Sequence, residues 1–452
     1  MPSSCILTDR EDNTAEFIPL SDDLVEFKFT IAEEGYPAPP PSKHILVSKE
    51  QFNATLKRGE VNKTASSVTI QGNCLGYSPA AIGNEDRIAS DVISSTTKLD
   101  GAFWPAWSGT KSTEDGDLIF ASVFDGHAGS ATSELLSKTL HACLAKALLA
   151  SGLDDEAEVK AVIEETYAAW DEDLMKTLRA ALSESSASPS TLAGAMGGMA
   201  GFSGSCALTV IVDKSHDRIY AINLGDCRAV AGWHGPNGWK CDPLTEDLNA
   251  NNPNEVERMR AEHPEEERDD IVVKTDTHRV LATIMVSRAF GDFLFKMPSD
   301  EYKSLKSAFN VVQKEPKRPV KTPPYVSNKP EIAVRSFKQG EETLKFIVLA
   351  SDGLWDRLTS EQSVQLMAAR SDGEKEITRQ ELVKTYPMDN EAKHNESDHD
   401  FIVGDDANAA THLIRNVYGG SNEMLGRSML SVLSEEARMF RDDISVQVLS
   451  FN

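Results

Sequence analysis

Five times along this chain an apolar run, or the turn beside it, ends in carboxylates: Glu85-Asp86, Asp125-Gly126-His127, Gly225-Asp226, Asp352 with Asp356, and Asp442-Asp443. A strand end that points into a cleft presents a carboxylate without burying its charge in the core. Left unpaired in the interior such a group is costly, and several brought together repel one another. A fold that gathers these ends needs positive charge among them, and hard divalent cations with oxygen ligands supply it. Each cluster also has a plain structural reading. Asp-Gly is a common turn, Gly-Asp after a strand is ordinary, and Arg441-Asp442-Asp443 before a terminal strand reads as a solvated cap. The intervals between clusters are too long for a local calcium loop of the EF-hand kind.

Composition narrows the classes of partner. With 46 basic and 71 acidic residues the formal charge is −25, so polyanions are repelled and nucleic acid and anionic membrane are poor partners. No run approaches the roughly 18 apolar residues that span a bilayer. The six cysteines, Cys5, Cys74, Cys143, Cys206, Cys227 and Cys241, show no CxxC pair and no zinc spacing, which suits reduced thiols in a reducing compartment. The segment Met1 to Asp12 is polar and acidic, unlike a signal peptide or an Arg-rich transit peptide, and on that ground the expectation is either a cytosolic protein or a chain whose true start was trimmed.

Periodicity sets out the elements. Residues 1–43 lack a clear period and end in a Pro-rich run (residues 37–41), which reads as an N-terminal arm; residues 44–452 read as one domain with insertions at about 183–204, 294–330 and 370–406. Within it, Ile45 to Leu56 reads as a helix capped by Ser48, and Leu118 to Phe124 as a strand stopped by Asp125-Gly126. Leu136, Leu140, Leu144 and Leu148 recur four apart and predict a helix over 129–150. Val159, Ile163, Tyr167, Trp170, Leu174 and Leu178 predict a second over 156–182. Ala207 to Val212 and Arg218 to Leu224 flank a turn as a hairpin, Lys345 to Ala350 is a buried strand, and Ile444 to Phe451 closes the chain. Residues 407–418 and 424–440 read as helical, and 314–330 and 370–406 as surface segments. Strand hairpins separated by helices favour an α+β layered domain. No GxGxxG or Walker sequence follows a strand, so no nucleotide site is indicated.

The flanking residues carry a resemblance. In order they are NEDR (84–87), VFDGHAG (123–129), GSCALTVIV (204–212), NLGDCRAVAG (223–232), SRAFGD (287–292), ASDGLWD (350–356) and RDDISV (441–446). From about residue 75 onward the chain resembles the PP2C (PPM) family of metal-dependent protein serine/threonine phosphatases. Residues 248–264, 322–332, 408–420 and the last eighteen are most similar to the pyruvate dehydrogenase phosphatase catalytic-subunit branch. The resemblance implies a four-layer α/β/β/α sandwich of two antiparallel sheets flanked by helices. It implies two divalent ions per subunit, Mg2+ or Mn2+, with a third, weaker position. Asp125 resembles the carboxylate bridging both ions, and the Gly126 carbonyl helps hold the second. Asp352 and Asp442 complete the first, Glu85 and Asp86 act on the second largely through water, and Asp226 and Asp356 with Asp352 match the third. The implied partner is a phosphoprotein, with the pyruvate dehydrogenase complex as the branch's own substrate and the mitochondrial matrix as its compartment.

The chemistry implied is hydrolysis of phosphoserine or phosphothreonine by metal-activated water. The departing alkoxide needs a proton, and His127 is the candidate acid; the plain alternative is a turn histidine bonded to a neighbour. Arg288 and Asp292 of SRAFGD read as structural, with a buried Arg–carboxylate support the favoured role. The tract 394–400 reads as a solvated loop. Retained carboxylates favour an active enzyme over a PP2C-like scaffold that only binds partners. A departure at one position favours the scaffold: the family places Arg, or Asn in the pyruvate dehydrogenase branch, four residues before Glu85, and this chain has Ala81 there. Loss of one charged hydrogen bond to phosphate costs about 1.5–3 kcal/mol, so Ala81→Arg lowers the Michaelis constant with turnover retained in steady-state kinetics; an unchanged constant removes the clamp argument.

Overall fold

The computed structural model describes residues 4–451 apart from 9–13, 31–39, 66, 77–83, 94–117, 184–198, 276, 375, 389–399, 404–405, 433–436 and 439. The chain divides into two compact units. One comprises Glu85–Arg228 and Leu244–Ser336; the other comprises Met1–Asn84, Ala229–Pro243 and Phe337–Asn452.

The first unit is built on a five-stranded antiparallel sheet in the order Glu331–Arg335, Arg218–Leu224, Ala207–Asp213, Leu118–Phe124, Arg87–Ile93. Its central strands bury every residue, as continuous β-branched and aromatic runs do when both faces are covered. The polar side chains caught inside are bonded: Ser122 Oγ lies 2.7 Å from both His141 Nε2 and Thr209 Oγ1, and His141 Nδ1 is 2.8 Å from Asp91. The helices Ala131–Ser151 and Glu156–Ser183 pack on each other, the first also on two of the strands. Both expected apolar stripes are buried. Asp155 starts the second helix by accepting from the Ala157 and Glu158 amides, which satisfies donors left over at a helix N-terminus. The expected hairpin is present, Ala207 pairing with Leu224 and Asp213 with Arg218.

The second unit has its own antiparallel sheet, in which Gly238–Pro243, Arg228–Gly235, Glu342–Ala350, Ile444–Phe451, Val68–Leu75 and Val61–Ala65 lie in that order. The helix Ala409–Val417 packs on Val68–Leu75 and Ile444–Phe451. Each unit thus combines an antiparallel sheet with helices, the α+β class expected. Among the described residues no helix is long and apolar enough to cross a membrane.

The structure corrects several expectations. The segment read as an arm contains a four-stranded sheet of Cys5–Thr8, Thr14–Ser21, Leu24–Thr30 and Ser42–Ile45. Alternate residues Ala15, Phe17, Val25 and Phe27 are buried, and the Phe17 and Phe27 rings lie 5.2 and 5.0 Å from that of Phe440. The helix expected from Ile45 starts at Lys49, because Ser48 and Gln51 form a reciprocal capping box there. The 370–406 segment is not wholly surface. It includes the helix Arg379–Thr385, and Leu382, Tyr386, Phe401 and Val403 join the core. Of 294–330, residues Ser299–Ala308 are helical, and Tyr325 and Val326 are buried. The helix expected over 424–440 covers Glu423–Ser431 and stops where Val432 turns extended. Position 81, most of the 183–204 loop and residues 394–399 lie outside the described residues.

Phe17 is fully buried, so Phe17→Ala should lower the unfolding free energy by about 3–5 kcal/mol. Chemical denaturation checks this, and a change within about 0.5 kcal/mol, typical of surface positions, would show that the meander adds nothing to the core.

Candidate active site

In the first unit the site is assembled at strand ends. Leu118–Phe124 stops at Asp125, and the next two residues, Gly126–His127, form the edge of a small ribbon. Gly204–Ser205 is its centre and Phe290–Gly291 its far strand. The register sets Gly204 opposite both His127 and Gly291. Asp292 follows directly in left-handed conformation (φ 51°), its amide bonded to the Ser203 carbonyl at 3.0 Å. His127 Nε2 and Asp292 Oδ2 are thereby brought to 2.6 Å. Space for the pair comes from Gly204, where a β-carbon would collide with both side chains. Gly126 is equally confined, against the Glu85 carbonyl and Ser133.

His127 is a quarter exposed and Asp292 almost fully buried. Burial disfavours the imidazolium, but the charge and hydrogen bond of Asp292, helped by Asp226 and Glu85, outweigh it and raise the histidine pKa above its ordinary value. Asp292 is fixed from behind. The Gly291 amide donates to Asp171 at 2.8 Å, and Asp171 also takes the buried Lys296 ammonium at 2.7 Å. Tyr167 and Trp170 pack on the ring of Phe290, each with centroids 5.0 Å away. One helix, Glu156–Ser183, therefore grips the SRAFGD segment through both a hydrogen bond to its Gly291 amide and an aromatic face on Phe290.

Beside the ribbon, carboxylate oxygens of Asp125 and Asp226 and the sulfur of Cys206 all lie within 4.8 Å of one another. The Cys206 amide donates to the Asp125 carbonyl at 2.8 Å. Asp226 is buried, and its carboxylate faces the Cys206 thiol and the Asn249 amide, both at 3.3 Å. Burial, then the nearby Asp247 charge, pushes its pKa up. Both of these hydrogen-bond partners are neutral, so a buried carboxylate in this position fits a bound cation. Glu85 commits one oxygen to the Gly129 amide at 2.8 Å, and Asp86 is buried. The Asp125, Gly126, Asp226, Glu85 and Asp86 expected from sequence are thus all in this unit, and the donor set suits divalent metal.

Asp352, Asp356 and Asp442 belong to the other unit. The paired strands Glu342–Ala350 and Ile444–Phe451 set Ala350 opposite Val446. Asp352 opens the short helix Asp352–Trp355, and Asp356 follows it. Asp442 precedes the closing strand, half exposed, accepting from the Asp443 amide at 2.8 Å. The antiparallel pairing puts the chain segments that carry these three residues at the same end of that sheet, with Gly353 backed against the Asp443 carbonyl.

Two participants were not anticipated. Asp292 was expected to be structural, and its bond to His127 joins residues 165 apart. Cys206 was read only as one of six reduced thiols. The Arg288 expectation fits: its guanidinium forms a fork on Glu255 at 2.6 and 3.0 Å and also reaches the Lys329 carbonyl. A cavity of about 500 Å³ adjoins the residues that follow His127, lined by Gly129, Ser130, Met199, Phe202, Val312 and Gln313 among others.

A sequence profile described as Protein phosphatase 2C matches residues 94–395, a span that takes in Asp125, His127, Asp226, Asp352 and Asp356. The chain belongs to the protein phosphatase 2C family. Among its relatives is a protein phosphatase 2C homolog of Schizosaccharomyces pombe, 32% identical over 351 residues, which are 76% of this chain and 75% of that protein. The human mitochondrial [pyruvate dehydrogenase [acetyl-transferring]]-phosphatase 2 is 36% identical over 266 residues, 56% of this chain and 48% of that one. The mitochondrial [pyruvate dehydrogenase [acetyl-transferring]]-phosphatase 1 of Saccharomyces cerevisiae is 30% identical over 380 residues, 75% and 64% of the two chains. The matched part thus spans about half the length of the human phosphatase. Within the protein phosphatase 2C family the divalent-metal reading of the acidic cluster is the expected one.

Glu255 anchors the SRAFGD segment from the side opposite the ribbon. Burial raises its pKa, but bonds from Arg288, Arg258 and Ser287 outweigh burial and bring it from 4.5 to about 2. A depressed carboxyl pKa stabilises the fold fully above the ordinary value and loses that contribution as pH falls through the folded value. Glu255→Gln should be less stable than wild type at neutral pH, with the gap closing between pH 4.5 and about 2. Urea midpoints across that range test it; a gap independent of pH would show that the ionised carboxylate is not what stabilises.

Proposed function

We propose that this chain is an active, metal-dependent protein serine/threonine phosphatase, and that His127, oriented by Asp292, is its general acid. The observation that carries the reading is the His127–Asp292 hydrogen bond of 2.6 Å, set on the same ribbon edge that follows Asp125. Asp125, Asp226 and the Gly126 carbonyl are the groups of this unit that would hold divalent ions, with Glu85 and Asp86 acting through water. Asp352, Asp356 and Asp442 take ligand roles on the strength of their motifs. Bound divalent metal supplies Lewis-acid stabilisation of the phosphoryl group and an acidified water.

The chain's own residues do the rest. Asp292 accepts the Nε2 proton of His127, which leaves Nδ1 to face the reacting groups and fixes the ring. Protonated, His127 donates from Nδ1 to the serine or threonine oxygen as the ester bond breaks, and its neutral form is then ready to take a proton back. The Asp171–Lys296 pair holds the Gly291–Asp292 backbone still during this exchange. Met199, Phe202 and Val312, in the cavity beyond Ser130, offer apolar contact to the peptide that flanks the phosphorylated residue.

The proposed physiological substrate is phosphorylated pyruvate dehydrogenase E1, and the proposed compartment the mitochondrial matrix. Support comes from two relatives named as mitochondrial pyruvate dehydrogenase phosphatases and from the branch-like segments of the sequence. Phosphate release from that phosphoprotein and from a generic phosphothreonine peptide compares the two, and equal efficiency on both would remove the specific assignment.

For the acid role, the leaving group decides. His127→Ala should lower turnover of a phosphothreonine peptide by about 10²–10⁴-fold, and turnover of p-nitrophenyl phosphate much less, because nitrophenolate leaves without a proton. Equal losses on the two substrates would show that His127 does not protonate the leaving oxygen.

A further inference from the structure

The metal-ligand cluster of this chain contains a sulfur, and the sulfur changes which ions it prefers. Resting on the divalent-metal reading above, we propose that Cys206 is a direct ligand at the Asp226 position, making it a site for thiophilic divalent ions of the zinc and cadmium class. Cys206 is buried at 1% exposure and is not disulfide-bonded. Its sulfur sits 3.3 Å from Asp226 Oδ1 and within 4.8 Å of an Asp125 oxygen. In a tetrahedral centre with bonds of about 2.0–2.3 Å, ligand atoms lie roughly 3.3–3.8 Å apart, so the sulfur and the Asp226 oxygen already stand at ligand spacing.

The chain keeps room for the sulfur. Gly225 precedes Asp226 at φ +118°, and a β-carbon there would collide with Cys206 Sγ. The Cys206 amide is tied to the Asp125 carbonyl at 2.8 Å, which fixes the backbone that carries the thiol beside the carboxylates. A set of two carboxylates and one thiolate is not what Mg2+ selects, since Mg2+ takes oxygen ligands in near-octahedral geometry. Thiolate favours softer ions. On coordination the Cys206 thiol gives its proton to solvent and the sulfur forms the bond to the metal; no oxidant or reductant takes part.

The test is a titration of the purified full-length chain with Cd2+ and, separately, with Mn2+. Wild type should develop the ultraviolet sulfur-to-cadmium charge-transfer band. The band should vanish in Cys206→Ser and persist in Cys227→Ser, which removes the neighbouring buried thiol. Asp226→Asn keeps both sulfurs, so it reads the site even where the serine variant does not fold. There the cadmium dissociation constant should rise at least about tenfold, since loss of even an outer partner of a metal ligand costs 10–100-fold. A band that survives Cys206→Ser, disappears only in Cys227→Ser, or is indifferent to Asp226→Asn overturns the assignment. Loss of the free Mn2+ electron paramagnetic resonance signal separates the two levels. Manganese bound without a cadmium–sulfur band refutes the Cys206 role alone, and no manganese bound refutes the metal-centre reading with it.

Discussion

The antiparallel pairing of Leu118–Phe124 with Ala207–Asp213 is the constraint on which the described part of the site depends. The two strands carry opposite chain ends into the same place: Asp125 leaves one, Cys206 enters the other, and a main-chain hydrogen bond joins them. From that fixed point the chain continues on one side into His127 and on the other back through Ser205 and Gly204, so the histidine and the glycine beside it arrive already in register. A sheet with every central residue buried resists slipping, because a shift by one residue would exchange the side chains packed on its two faces and part bonded pairs such as Ser122 and Thr209. The relative positions of Asp125, His127 and Cys206 are thereby set by hydrophobic packing some distance from them.

Electrostatics are arranged in two tiers around this frame. Around His127 and Asp125 the charges are mainly carboxylates, and Asp226 is buried with neutral hydrogen-bond partners. Behind them the carboxylates are neutralised: Asp171 by Lys296, and Glu255 by Arg288 and Arg258. Buried pairs of this kind add little net stability over apolar residues of the same size, but removing one partner leaves an uncompensated charge. They act here as fasteners for SRAFGD, and the stability of that segment and the aim of the histidine are two aspects of one network.

Much of this was legible in the sequence because it is local. The stripes at 136–148 and 159–178, the hairpin at 207–224 and the closing strand each declare themselves by period, and the carboxylates stand at the ends of recognisable runs. What escaped was long-range or diluted. The bond between His127 and Asp292 spans 165 positions and follows from a ribbon of two-residue strands, too short to show any period. Cys206 faces Asp226 only because Ala207 pairs with Leu224, a register that the hairpin pattern allows but does not specify. The N-terminal meander does alternate, yet Glu16, Glu26 and Lys28 on its outer face and the Pro-rich run after it obscure the pattern, and its buried phenylalanines find their partner in Phe440, over four hundred residues away.

Gly204 sits where a hydrogen atom is all the space allows, pressed between an imidazole and a carboxylate that must touch. Such a position has no conservative replacement. Alanine, elsewhere the mildest of exchanges, would wedge the pair apart, so the bond between two residues 165 positions apart depends on a third that contributes no side chain at all.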